Sequence, residues 1–178
     1  MGLPTDAIID RSWARSLRRF AGGSTVHYWI NGQARTLEDG TRAQAISRKE
    51  AAFIRQTMAE VDQLTGLKLV EKKRPRNTEI DLYRVANYPQ KGLLGETTRY
   101  RGWFEITWEN RGGNQVTKDE RWTITHEIGH AFGLDHPFGQ PYSRRFDTRD
   151  TIMSYNGSSN TGFTGTDVAA LQLLWGAA

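Results

Sequence analysis

Three of the four histidines in this chain sit in one short segment, His126, His130 and His136, with Glu127 and Gly133 between them in the pattern H-E-x-x-H-x-x-G-x-x-H. Residues four apart on a helix share a face, so His126 and His130 can pinch one metal ion. Glu127 follows the first histidine, which puts its carboxylate beside the open side of the metal rather than on it. Gly133 can end the helix, because glycine tolerates the left-handed conformation that reverses the chain. That reversal swings His136 back as a third ligand. Three imidazoles leave one position of a tetrahedral Zn²⁺ for water, the pattern of a catalytic rather than a structural site. The alternative is a set of ordinary helical histidines, since a bare H-E-x-x-H arises by chance. A full set of offsets in a chain with four histidines favours the metal site.

The elements that must position these groups are legible in outline. Thr117 and Glu120 form a capping box, so the metal helix is predicted from there to about Gly133. Ser47 and Glu50 form another, and Ala51, Ile54, Met58, Val61 and Leu64 mark the apolar face of a long helix ending near residue 65. Residues 5–20 read as partly helical, with Ile9, Trp13, Leu17 and Phe20 at helical spacing. The arginines between them read as a solvated basic face in preference to a nucleic-acid contact. Strands are predicted over 25–30, 67–70, 79–88 and 103–108. The segment 93–100 is ambiguous, and 33–46 reads as a loop. His27 lies in a strand far from the motif and reads as structural. Residues 138–150, broken by Pro and Gly, should frame the cleft and supply its pocket walls. A Gly/Ser/Thr-rich connector follows at 157–165. Asp167–Leu174, capped by Thr164 or Thr166, should close the core beneath the site.

Composition sets limits. A length of 178 residues suits one domain with a real core, 1–178. The absence of cysteine excludes disulfides, thiolate zinc sites and a cysteine-based latency switch within the chain. No apolar run approaches a membrane span, and Met1-Gly2-Leu3-Pro4 starts no secretion signal. The expectation is a soluble protein without an N-terminal signal peptide, outside the cell or on a particle rather than in a membrane. A formal net charge of +4 is small and scattered, so no nucleic-acid partner is expected.

The histidine motif followed by a methionine in Met153-Ser154-Tyr155 resembles the metzincin clan of zinc endopeptidases. Within it the chain is most similar to the serralysin catalytic domain, through T-H-E-I-G-H at 125–130, G-L-D-H-P at 133–137, D-T-R at 147–149, M-S-Y at 153–155, and D-V-A-A-L-Q with W-G at 167–176. These motifs cover roughly 117–176; the N-terminal half agrees only in its order of elements. The resemblance implies an α+β, zincin-like fold. Its upper lobe, about 1–133, would hold a twisted mixed sheet and two long helices. Its small lower lobe, about 134–178, would hold the Met-turn and a C-terminal helix. It further implies one catalytic Zn²⁺ on His126, His130 and His136, with Glu127 as general base. Met153 would be an apolar floor, and Tyr155 a stabiliser of the reacting carbonyl oxygen. A protein or peptide substrate would lie along an edge strand within 93–100.

Serralysins normally also carry a C-terminal calcium-binding β-roll that serves in export, and no such repeat occurs before Ala178. Calcium binding and export route therefore stay open, as does the means of restraint, since no pro-segment is recognisable. The competing reading is a structural or interaction component of a larger assembly, such as a phage or secretion particle, built on the same scaffold. The intact Glu127 speaks against it, because a purely structural zinc site has no use for a base.

Overall fold

Four helices start on side-chain caps written into the sequence. In the computed structural model, which describes residues 2–157 and 160–178, Asp10 caps helix α1 (Arg11–Ala21) by accepting from the amides of Ser12 and Trp13. Helices α2 (Arg48–Leu64), α3 (Lys118–Ala131) and α4 (Gly165–Trp175) each open with a complete capping box, Ser47/Glu50, Thr117/Glu120 and Thr164/Asp167. Each box satisfies amides that a helix start leaves without partners. All three box acids are also buried, so they tie the helix starts to the rest of the molecule. Glu50 accepts from the Arg84 guanidinium at 2.9 Å and from the Trp108 indole at 3.1 Å, joining α2 to the sheet.

The sheet is seven-stranded and mixed. Its strands are β1 (Thr25–Ile30), β2 (Arg35–Thr36), β3 (Arg42–Gln44), β4 (Lys68–Lys72), β5 (Ile80–Val85), β6 (Gly95–Arg99) and β7 (Phe104–Glu109). Strand β5 is its centre and is buried throughout. It runs parallel to β7 on one side; on the other it is parallel to β1 and antiparallel to β3. Strand β4 flanks β1, and β6 pairs antiparallel with β7 at the opposite edge. The residues 33–46, expected as a loop, instead contain the β2–β3 hairpin, whose Ala43 backs onto Val85. Two- and three-residue strands carry too little alternation to be read from sequence.

Side chains alternate across the sheet with period two. Val26, Tyr28, Ile80, Leu82, Phe104, Ile106 and Trp108 face the helices and form the main core with Leu17, Ile54, Met58, Ile124 and Ile128. The other face is covered by a smaller cluster of Trp29, Leu37, Ala43, Tyr83 and Val85. Helix α3 lies across β6 and β7, which puts the histidine segment next to the sheet's open edge. Helix α4 packs against α2 and the 3-10 turn Thr5–Ile8. Arg18 departs from the solvated reading of α1. Its guanidinium donates to the Leu174 carbonyl at 2.7 Å and lies over the Trp175 ring, tying α1 to the end of α4. The connector expected at 157–165 includes Ser158 and Ser159, which lie outside the described residues. No helix among the described residues is long and apolar enough to cross a membrane.

Candidate metal centre and cleft

Helix α3 ends where the sequence requires. Gly133 has φ +92°, its amide bonds the His130 carbonyl, and the Leu134 amide reaches back to the Gly129 carbonyl, the paired closure of a glycine-terminated helix. A side chain at Gly133 would also meet the Ala14 Cβ at 2.8 Å. The N-terminal segment braces this turn. The Asp10 amide donates to the Gly133 carbonyl, the Asp135 amide donates to the Ile8 carbonyl, and Ile9 bridges Leu134. His136 follows directly.

The three histidines converge. One ring nitrogen from each lies within 4.8 Å of the others, and this is the sole grouping of its kind among the described residues. Nε2 of His126 and Nε2 of His136 are 3.3 Å apart. Two nitrogens about 2.0–2.1 Å from one tetrahedral zinc are separated by roughly 3.3–3.4 Å, so the spacing fits the ion. Backbone carbonyls can only accept, so the contacts of His126 Nδ1 with Ile152 O and of His130 Nδ1 with Leu134 O, each 3.0 Å, put the protons on Nδ1. Nε2 is thereby left as the ligating atom. Burial holds His126 well below the ordinary imidazole range, holds His130 at about 4, and lowers His136. All three are therefore neutral at pH 7, the form that binds metal.

Met153 is fully buried, and its sulfur lies 2.8 Å from where a Cβ on Gly129 would be. Gly129 costs α3 about 1 kcal/mol of helix propensity relative to alanine; its bare Cα lets Met153 pack against the helix between the two histidines. Asp167, at the start of α4, accepts from the Ile152 amide at 2.9 Å and from the Thr151 hydroxyl. It thus holds the turn whose Ile152 carbonyl orients His126.

Glu127 is 5% exposed. Its Oε2 lies 2.8 Å from the Thr97 hydroxyl on β6. Burial pushes its carboxyl up to about 8 against that hydrogen bond, and a divalent cation nearby would pull it back down. The Tyr155 ring lies 5.2 Å from His126 and 5.0 Å from His136. Burial, then the Glu127 charge, raise its phenol to about 12, so it is a hydrogen-bond donor at neutral pH.

Two cavities meet at Glu127 and Tyr155. One, of about 550 Å³, runs beneath residues 90–95 toward Trp122, Thr123 and Tyr142. The other, of about 290 Å³, lies along β6 toward Trp13, His130 and Leu134. The structure therefore gathers all seven sequence-predicted site residues, His126, Glu127, His130, Gly133, His136, Met153 and Tyr155. It leaves His27 elsewhere, bound to Glu79 at 3.1 Å. The pocket walls differ from expectation. Of the 138–150 loop only Tyr142 lines these cavities, and the 90–95 segment with α3 supplies most of the rest. Sequence reasoning also missed Thr97 and Gly95; their one signal is a small residue at alternate positions of an edge segment.

The fold is that of the metzincins, a clan of zinc metalloproteases. The solved structure of myroilysin superposes with a TM-score of 0.55 at 12% identity, over 87% of this chain and 94% of that one. In sequence the chain is 35% identical over 108 residues to serralysin A of Dickeya chrysanthemi, and 37% identical over 113 residues to serralysin C of the same organism. Each likeness covers 52% of this chain, and the chain spans 22% and 23% of those proteins' length. No protein-family model matches. The chain thus has the metzincin fold and is similar in sequence to the serralysins over about half its length.

Proposed function

We propose that this chain is a single catalytic domain, 1–178, of a zinc-dependent endopeptidase. His126, His130 and His136 would hold the ion through Nε2. The observation that carries the reading is the convergence of three neutral imidazoles, two of them oriented through Nδ1 by backbone carbonyls, beside a buried carboxylate in a cleft bordered by the edge strand β6. Zinc bound there acts as a Lewis acid and lowers the pKa of water to about 7.

The chain's own groups do the rest. A peptide pairs its main chain with the free edge of β6, which places a scissile carbonyl over the cleft. Glu127 accepts a proton from the attacking water and delivers it to the leaving amine. The Tyr155 hydroxyl donates to the carbonyl oxygen as it gains negative charge. Met153 supports the histidines from below without ligating. The reading as a structural part of a larger assembly has no observation behind it in the fold or in the relatives.

The test is cleavage of casein or a proteome-derived peptide library by the purified chain. Cleavage should stop with a zinc chelator, return with added zinc, and be absent in Glu127→Ala, while that variant still binds zinc. A chain that binds zinc and cleaves nothing, or an active Glu127→Ala, would overturn the proposal.

A further inference from the structure

The edge strand does more than offer its backbone to a peptide. Residues 95, 97 and 99 are the positions of β6 that face the helices. The Thr97 hydroxyl lies 2.8 Å from Glu127 Oε2 and 2.9 Å from the Glu127 carbonyl. It is the hydrogen-bond donor that the structure gives to this carboxylate. Gly95, two residues earlier, lies against the other oxygen. A Cβ there would stand 3.0 Å from Oε1 and from Cγ of Glu127, and would clash with Thr123 Cγ2. Gly95 has no positive φ, so the position calls for a small residue to make room rather than to permit an unusual backbone.

We infer that Thr97 is a positioning residue for the general base: its hydroxyl holds Oε2 of Glu127 and, with the gap at Gly95, aims Oε1 into the cleft. A carboxylate rotates about its last bond with little resistance, since this torsion has only a broad preference. In a buried site a misaimed base wastes the proximity that makes proton transfer efficient. Thr97 fixes that torsion from the strand on which substrate is proposed to lie, so the aim of the base and the seat of the peptide share one element. The inference rests on the proposed role of Glu127.

The experiment compares Thr97→Val, which keeps the shape and strand preference but loses the hydroxyl, with Thr97→Ser, which keeps the hydroxyl. Steady-state kinetics on a quenched fluorescent peptide are read alongside zinc affinity, by competition with a chromogenic chelator, and thermal stability. Thr97→Val should lose about ten- to a hundredfold in kcat, with KM and zinc affinity within about twofold, and Thr97→Ser should recover most of the loss. Thr97→Val with wild-type kcat, a loss confined to KM, or a serine variant as poor as the valine would each overturn it. Should Thr97→Val fail to fold, Thr97→Ala against Thr97→Ser makes the same comparison. Glu127→Gln separates the two levels. If it is inactive while Thr97→Val is normal, only the positioning role falls; if it is active, or if the wild type cleaves nothing, the role of Glu127 falls and this inference with it.

Discussion

Asp167 lies 31 residues beyond His136, yet hydrogen bonds link it to the histidine cluster. Its carboxylate accepts from the Thr164 amide and hydroxyl, each at 2.8 Å, from the Ile152 amide at 2.9 Å, and from the Thr151 hydroxyl. The Ile152 carbonyl in turn takes the Nδ1 proton of His126. Asp167→Ala removes the acceptor from all of these. Loss of the cap costs about 1 kcal/mol. The Ile152 amide and the Thr151 hydroxyl proton, left buried without an acceptor, cost about 1–3 kcal/mol each, although the Thr151 oxygen still accepts from the Met153 amide. A total near 3–5 kcal/mol is therefore expected, after partial relaxation. At about 2–4 °C per kcal/mol for a chain of this size, the melting temperature should fall by roughly 6–20 °C. Loosening the Ile152 carbonyl should also weaken zinc binding about tenfold to a hundredfold, as for other groups that orient a ligand. Thermal unfolding by circular dichroism and zinc competition below the melting range measure the two effects separately. A variant melting within about 2 °C of wild type would refute the anchoring argument. A destabilised variant with unchanged zinc affinity would refute the link to His126.

Two further outcomes are expected. Asp81 and Glu105 are register partners on the sheet face away from the histidine cluster, lining a cavity of about 410 Å³ with Arg35, Glu38 and Tyr83. Burial pushes their carboxyls up to about 6 and about 7, from 3.8 and 4.5, with the charge of Asp39 adding to Glu105. From about pH 4 to about pH 7 the native state holds protons that the unfolded chain has released, so this pair contributes stability that is lost as pH rises. Asp81→Asn/Glu105→Gln should gain stability relative to wild type between about pH 5 and about pH 8, read as urea midpoints; an unchanged difference would refute it. Tyr155→Phe should lower kcat by about 10²–10³ if its hydroxyl stabilises the oxyanion, with zinc affinity unchanged; near-normal kcat would remove Tyr155 from the chemistry.

The helices were legible in the sequence because their signals are local. A capping box such as Thr117/Glu120 lies within one turn, and the glycine stop at 133 follows from that residue's own backbone freedom. The grouping of the candidate site's histidines was legible for the same reason, since His126, Glu127, His130 and His136 sit on one helix and the turn after it. What only the tertiary structure decided are the contacts between segments distant in the chain. The brace of Ile8–Asp10 on the Gly133 turn joins groups more than a hundred residues apart, as do the stitch from Arg18 to Leu174 and the packing of α4 under α2. The hydroxyl of Thr97 against Glu127, the close approach of Gly95 and the walls of the cleft depend on how α3 crosses β6. That crossing is set by burial of the whole sheet face, a sum over many side chains that no single short pattern encodes.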